Sequence, residues 1–134
     1  MAVLTPNRGV RAQSAATRDQ MEMRFAAQVI EWARKELELS YHEIGQMVNA
    51  SGRTVMRWAG SETPPSRENR DRLTRVSEVR HLLESVFREP NAAVEWLHGP
   101  VPALRGRTPL SLLLRGELDE VVGVLANLES GAFL

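Results

Sequence analysis

Apolar residues recur at steps of three to five positions along most of the chain, which is the spacing of one buried face of an α-helix. The pattern begins near Asp19 and runs to about Glu38, so it predicts a first long helix. Residues 1–18 lack this periodicity and contain Pro6 and Gly9, which predicts a flexible arm. Because the alternation typical of a strand is absent, the sequence predicts an all-α fold.

Serine and threonine residues mark the starts of the later helices. Ser40 stands three residues before Glu43, the spacing of a capping box in which each side chain accepts a hydrogen bond from the other residue's backbone N–H. Ser51, Ser66 and Thr108 precede further apolar faces and are predicted N-caps. Short helices are therefore expected after Ser40 and Ser51, and a long one after Ser66.

Proline and glycine residues divide the rest of the chain. Pro90 is expected to end the fourth helix, and Gly99 with Pro100 the fifth. Two compact helices follow, one ending at Gly116 and the other at Gly131. We therefore predict three segments, which are a flexible arm (1–18), an N-terminal helical domain (19–89) and a small C-terminal helical domain (90–134).

Residues 40–60 have the pattern of a helix-turn-helix. This motif needs a short helix with a small residue packed against the next helix, and Gly45 supplies that residue. Its tight turn needs a residue that tolerates positive φ, and Asn49 is one of the few non-glycine residues that does. The buried face of the second short helix is predicted from Val55 and Trp58. The motif indicates a DNA-contacting protein.

The second short helix carries arginines on its predicted outward face. Arginine matches the two acceptors of guanine in the major groove, and side chains at helix starts suit phosphate contacts. We assign Arg53, Thr54 and Arg57 to the outward face with Gly52 at the tip, and Ser51 and Tyr41 to phosphate contacts. The alternative is a solvated arginine face on an ordinary helical core. The candidate DNA-binding residues are Tyr41, Ser51, Gly52, Arg53, Thr54 and Arg57.

Charge is distributed unevenly although the net charge of the 134 residues is zero. Residues 51–80 carry seven arginines against four acidic residues, whereas residues 91–134 carry three arginines against five. A positive middle and a negative end indicate two surfaces with different partners. One partner is predicted to be double-stranded DNA.

Several function classes are excluded or disfavoured by composition. The absence of cysteine excludes disulfides, cysteine nucleophiles and thiolate metal sites. His42, His81 and His98 share no ligand spacing, so no metal, cofactor or catalytic site is predicted, and a small hydrolase or transferase is the least supported reading. No membrane span or signal peptide is recognised. We therefore expect a cytoplasmic protein that is not an enzyme.

Residues 91–134 contain a tryptophan helix, a proline–glycine elbow, a leucine helix opened by Thr-Pro and a final valine–leucine helix. This order of elements resembles the toxin-binding domain of Xre/MbcA/ParS-type antitoxins. With the Xre-like helix-turn-helix upstream, the resemblance extends over residues 20–134. The matching residues are Trp96, Pro100, Leu104, Gly106, Pro109, Leu110, Leu113, Gly116, Val121, Leu125, Leu128 and Gly131.

The resemblance implies an antitoxin of a type II toxin–antitoxin pair whose partner is a RES-domain toxin that consumes NAD. In that family the C-terminal segment masks the toxin's active-site entrance and the helix-turn-helix represses the operon. Carried onto this chain, the toxin-binding residues are Glu129, Ser130, Gly131, Ala132, Phe133 and Leu134.

Two alternatives stay open from the sequence. Phe133 and Leu134 either plug a partner pocket or fold back onto the protein's own helices. The whole chain is either this antitoxin or a dimeric regulator that has no toxin partner. A homodimer is expected in both cases, because helix-turn-helix proteins usually bind paired half-sites about 34 Å apart.

Overall fold

Seven α-helices and one short 3-10 helix make up residues 8–131, the part of the chain that the computed structural model describes, with side chains described from residue 14 onward. No strand occurs within these residues, so the predicted all-α fold is confirmed. The 3-10 helix lies at Pro102–Leu104. The α-helices are α1 (Arg8–Glu36), α2 (Tyr41–Val48), α3 (Gly52–Ala59), α4 (Arg67–Val86), α5 (Pro90–His98), α6 (Pro109–Leu114) and α7 (Leu118–Glu129).

The predicted N-caps are confirmed. Ser40 Oγ accepts from the backbone N–H of Glu43 at 3.1 Å, and Glu43 Oε1 accepts from that of Ser40 at 2.9 Å. Ser51, Ser66 and Thr108 each accept from the backbone N–H three residues ahead, at 3.1 to 3.2 Å. Each bond satisfies one of the backbone donors that a helix start leaves without an intrahelical partner.

The first helix begins earlier than the sequence predicts. It starts at Arg8 rather than Asp19, so the predicted start is wrong, and residues 8–18 are helical rather than an irregular arm. Apolar spacing does not predict this part of the helix, because its residues form no apolar stripe. Residues 14–20 are all exposed. Arginine, alanine and glutamine nevertheless have high helix propensity, and adding a residue to an existing helix avoids the cost of nucleation. Residues 1–7 lie outside the described part.

The helices share one hydrophobic core. It contains Ile44 and Val55 from the predicted N-terminal domain and Leu113 and Leu125 from the predicted C-terminal domain, all at most 1% exposed. Helix α4 packs most extensively against α7, and α2 packs against α6. The N-terminal and C-terminal domains predicted on either side of residue 90 therefore share one core.

The elbow between α6 and α7 lies against the end of α2. Gly116 has φ 78°, a conformation that favours glycine, and a Cβ there would lie 3.8 Å from the carbonyl oxygen of Gln46. The same Cβ would lie 3.3 Å from Nη1 of Arg72 on α4. A close backbone approach therefore links the C-terminal helices to the helix-turn-helix. Among residues 8–131, no helix is long and apolar enough to span a membrane.

Candidate nucleic-acid interface and C-terminal surface

The turn between α2 and α3 has the geometry that the sequence predicts. Asn49 lies in the left-handed region at φ 59° and ψ 52°, and the backbone N–H of Ala50 donates to the carbonyl oxygen of Gly45 at 2.9 Å. A Cβ on Gly45 would lie only 2.2 Å from the carbonyl oxygen of Ala50. The predicted small residue, Gly45, is confirmed because only a residue without a Cβ allows this approach, and the predicted turn residue, Asn49, is confirmed by its left-handed backbone.

Helix α3 presents one buried face and one charged face. Val55 and Trp58 are 0% and 2% exposed, which fixes the helix against the core. Arg53 and Arg57 are exposed on the opposite side, and neither side chain has a hydrogen bond or ion pair to another residue of the described part. Two guanidinium groups without intramolecular partners are therefore available to acceptors outside the protein.

The start of α3 carries a local hydrogen-bond pair. Ser51 Oγ donates to Thr54 Oγ1 at 2.9 Å, in addition to accepting from the Thr54 backbone N–H. Thr54 is half-buried. It therefore lies at the edge of the outward face to which the sequence assigns it. Ser51 is exposed at the helix start, as expected.

The start of α2 lies beside the start of α3. A Cβ on Gly52 would lie 3.2 Å from the backbone nitrogen of His42, so the two helix starts nearly touch. The Tyr41 ring is half-buried under the guanidinium of Arg34, whose central carbon lies 4.2 Å from the ring centroid. This cation–π contact holds the ring in place. The six candidate DNA-binding residues thus lie along two adjoining helix starts and one face of α3, and their contact with DNA stays a prediction.

Asn69 is a supporting residue that the sequence analysis does not identify. Its Nδ2 donates to the carbonyl oxygens of Val48 at 2.9 Å and Asn49 at 3.4 Å, at the end of α2. Its Oδ1 accepts from Ser66 Oγ at 2.6 Å. Asn69 therefore fixes the turn of the helix-turn-helix to the first turn of α4.

We expect Asn69→Ala to lower the free energy of unfolding by about 1–2 kcal/mol, because it removes bonds to partly buried backbone oxygens. Urea denaturation monitored by circular dichroism measures the change. Asn127→Ala is the matched control, since Asn127 is exposed on α7 and its side chain has no hydrogen bond within the described residues. Equal destabilisation by the two substitutions would contradict a special role for Asn69.

The other predicted surface is the end of α7. Glu129 is its last residue, Ser130 Oγ donates to the carbonyl oxygen of Asn127 at 3.0 Å, and Gly131 has φ 83°. All three predicted toxin-binding residues in this stretch are exposed. The predicted toxin-binding residues Ala132, Phe133 and Leu134 lie outside the described part of the chain.

Ion pairs fasten the start of α7 to its neighbours. Arg75 on α4 donates to Asp119 at 2.6 Å and to Glu78 at 2.6 Å, and Arg107 donates to Glu120 at 3.1 Å. Hydrogen bonds to Asp119 and then Glu78 raise the pKa of Arg75 above its ordinary value. Asp119 and Glu120 also lie in the first turn of α7, at the positive end of its dipole. Much of the negative charge of the C-terminal part is thus paired with arginines of the same chain.

The described residues include no candidate metal site. Within residues 8–131, no three His, Asp or Glu side chains come close enough together to hold a metal ion.

Comparison with known protein families gives a match to the C-terminal helices. Residues 82–131 match the model described as the antitoxin Xre/MbcA/ParS C-terminal toxin-binding domain. The match begins near the end of α4 and ends at Gly131, so it includes α5, α6 and α7.

Curated relatives extend the similarity to the helix-turn-helix. The chain is 32% identical over 114 residues to the mycobacterial cidal antitoxin MbcA of Mycobacterium tuberculosis, a match that covers 85% of this chain and 100% of that protein. It is also 32% identical over 96 residues to the Prs ADP-ribosylating antitoxin of a Sphingobium species, covering 64% of this chain and 60% of that protein.

A solved structure has the same arrangement of helices. One chain in the crystal structure of the M. tuberculosis MbcT–MbcA toxin–antitoxin complex superposes with a TM-score of 0.61 and is 31% identical. The superposition covers 81% of this chain and 96% of that one. The similarity thus extends through both the helix-turn-helix and the C-terminal helices.

Proposed function

The chain belongs to the Xre/MbcA/ParS family of antitoxins, and from this premise we propose that it binds a RES-type toxin, masks the active site of that NAD-consuming enzyme and represses its own operon. The observation that carries the proposal is the match to MbcA over that protein's whole length, because a related chain has been crystallised with a toxin. The protein acts by binding and has no catalytic role of its own.

The masking segment is assigned to residues 129–134. Its first three residues are exposed at the end of α7, and the positive φ of Gly131 turns the backbone off the helix axis. Phe133 and Leu134 follow in the sequence and supply an aromatic ring and an aliphatic side chain. An aromatic anchor beside an aliphatic side chain is well suited to a concave enzyme entrance.

Ending the chain after Leu128 is expected to weaken toxin binding by about 30-fold or more, the equivalent of losing one interface hot spot of ~2 kcal/mol. The partner is the product of the neighbouring open reading frame, copurified with the full chain and then separated from it. NAD consumption by that protein is measured with no antitoxin, with the full chain and with the shortened chain. We expect inhibition by the full chain and residual NAD consumption with the shortened chain.

The shortened chain should keep its thermal unfolding midpoint and its affinity for DNA, since residues 129–131 are exposed. Asn127→Ala is the matched control, because Asn127 is exposed on α7 and lies just before the segment. Equal inhibition by full and shortened chains would remove the masking role from residues 129–134. A full chain that neither binds nor inhibits its neighbour would instead leave the alternative of a regulator without a toxin partner.

The DNA-binding half of the proposal rests on α3. Its exposed arginines have no hydrogen-bond or ion-pair partner among the residues that the structure describes, and Ser51 and Tyr41 stand at helix starts where backbone N–H groups favour phosphate. Repression then requires that α3 binds in the major groove of the operator DNA. A homodimer would place two copies of α3 on half-sites about 34 Å apart.

A further inference from the structure

Met56 is an apolar side chain on the charged face of α3. It is 54% exposed, whereas Val55 and Trp58 beside it in sequence are 0% and 2% exposed. Met56 is also not one of the half-buried apolar side chains that pack against the core. The fold therefore gains little from an apolar residue at this position.

The placement of Met56 is set by helix geometry. At 3.6 residues per turn, its side chain leaves the helix about 60° from that of Arg53 and about 100° from that of Arg57. The three side chains share the solvent-facing half of a helix of only eight residues. A surface that both arginines contact therefore lies beside the methionine, within reach of its side chain.

We propose that Met56 is a specificity-determining residue that recognises the C5-methyl group of thymine in the major groove of DNA; this inference rests on the proposed DNA-binding function. The thymine methyl is the apolar group that base pairs present in that groove, and protein side chains recognise it by apolar contact. The unbranched, polarizable thioether of methionine adapts its shape to such a small target. The operator therefore contains a thymine close to the guanines that Arg53 and Arg57 contact.

The test compares thymine with deoxyuridine, which lacks only the methyl group. A duplex is selected from a random-sequence library by the wild-type full chain, and each thymine is replaced in turn by deoxyuridine. Wild-type affinity, measured by fluorescence anisotropy, is expected to fall about fourfold at one or two positions, the effect of losing one buried methyl group. Met56→Ala is expected to bind the thymine duplex more weakly and to be indifferent to deoxyuridine at those positions.

Met21→Ala is the matched control, because Met21 is also mostly exposed, at 66%, but lies on α1. It should keep the wild-type response to every deoxyuridine. If wild type shows no response at any position, or if Met56→Ala keeps it, the inference is overturned while DNA binding stands. Selection of no sequence by the wild-type chain overturns the DNA-binding proposal itself, a result distinct from the other two.

Discussion

Replacing Arg53 and Arg57 together by alanine should lower affinity for operator DNA by about 30-fold or more, because each bidentate arginine–guanine pair contributes ~1–3 kcal/mol. Both side chains are exposed and unpaired within the described residues, so no intramolecular bond is lost with them. Stability should therefore change little. Toxin binding should be unaffected, because it is assigned to the end of α7.

The measurement is fluorescence anisotropy with the selected duplex at two salt concentrations. The matched control is Arg24→Ala with Arg88→Ala, which removes two exposed arginines that lie on α1 and after α4. The control removes the same positive charge as the α3 variant. A decrease in affinity common to both variants therefore comes from non-specific electrostatic attraction. The excess decrease in the α3 variant is the part that comes from base contacts.

Two results would contradict the assignment of α3. If the double variant bound the operator as wild type does, the DNA contacts would lie elsewhere and α3 would be a scaffold. If the control lost affinity equally, the arginines of α3 would supply charge without base recognition. Inhibition of the toxin by the double variant shows in both cases that the protein is folded.

Gly45→Ala should lower the free energy of unfolding by about 2–3 kcal/mol, the upper part of the range for overpacking a closely packed interior. Its Cβ would lie 2.2 Å from the carbonyl oxygen of Ala50, which is a backbone atom, so the turn must shift. The shift moves α3 relative to α2 and disrupts the surface that carries the arginines. Urea denaturation gives the stability change, and anisotropy gives the accompanying loss of DNA affinity.

Gly123→Ala is the control for this substitution. Gly123 lies within α7, and a Cβ there would meet nothing within 4 Å. Alanine should therefore raise the free energy of unfolding by ~0.5–1 kcal/mol through its higher helix propensity. A Gly45→Ala protein as stable as wild type would mean that α2 and the turn are not in close contact.

Local signals account for the part of the fold that the sequence predicts correctly. Caps such as Ser40 with Glu43 act within one helical turn, and Asn49 is suited to its backbone conformation by its own side chain. These features need no knowledge of distant residues. The bounds of the short helices and the outward position of Arg53 and Arg57 follow from them.

The features that were missed depend on distant residues or lack a pattern. Asn69 reaches Val48 across 21 positions, and no spacing rule connects an asparagine in α4 with the end of α2. The early start of α1 carries no apolar stripe to reveal it. Met56 fits an apolar pattern by residue type, so only its exposure separates it from the buried residues of α3.

The continuous core also determines how the protein is degraded. Since α4 packs on α7 and α2 on α6, unfolding is expected to be a single cooperative transition. A protease that captures the unfolded chain would then remove the α3 surface and the end of α7 in the same event. Under the proposed function, release of the promoter and release of the toxin would therefore share one lifetime, set by the stability of this core.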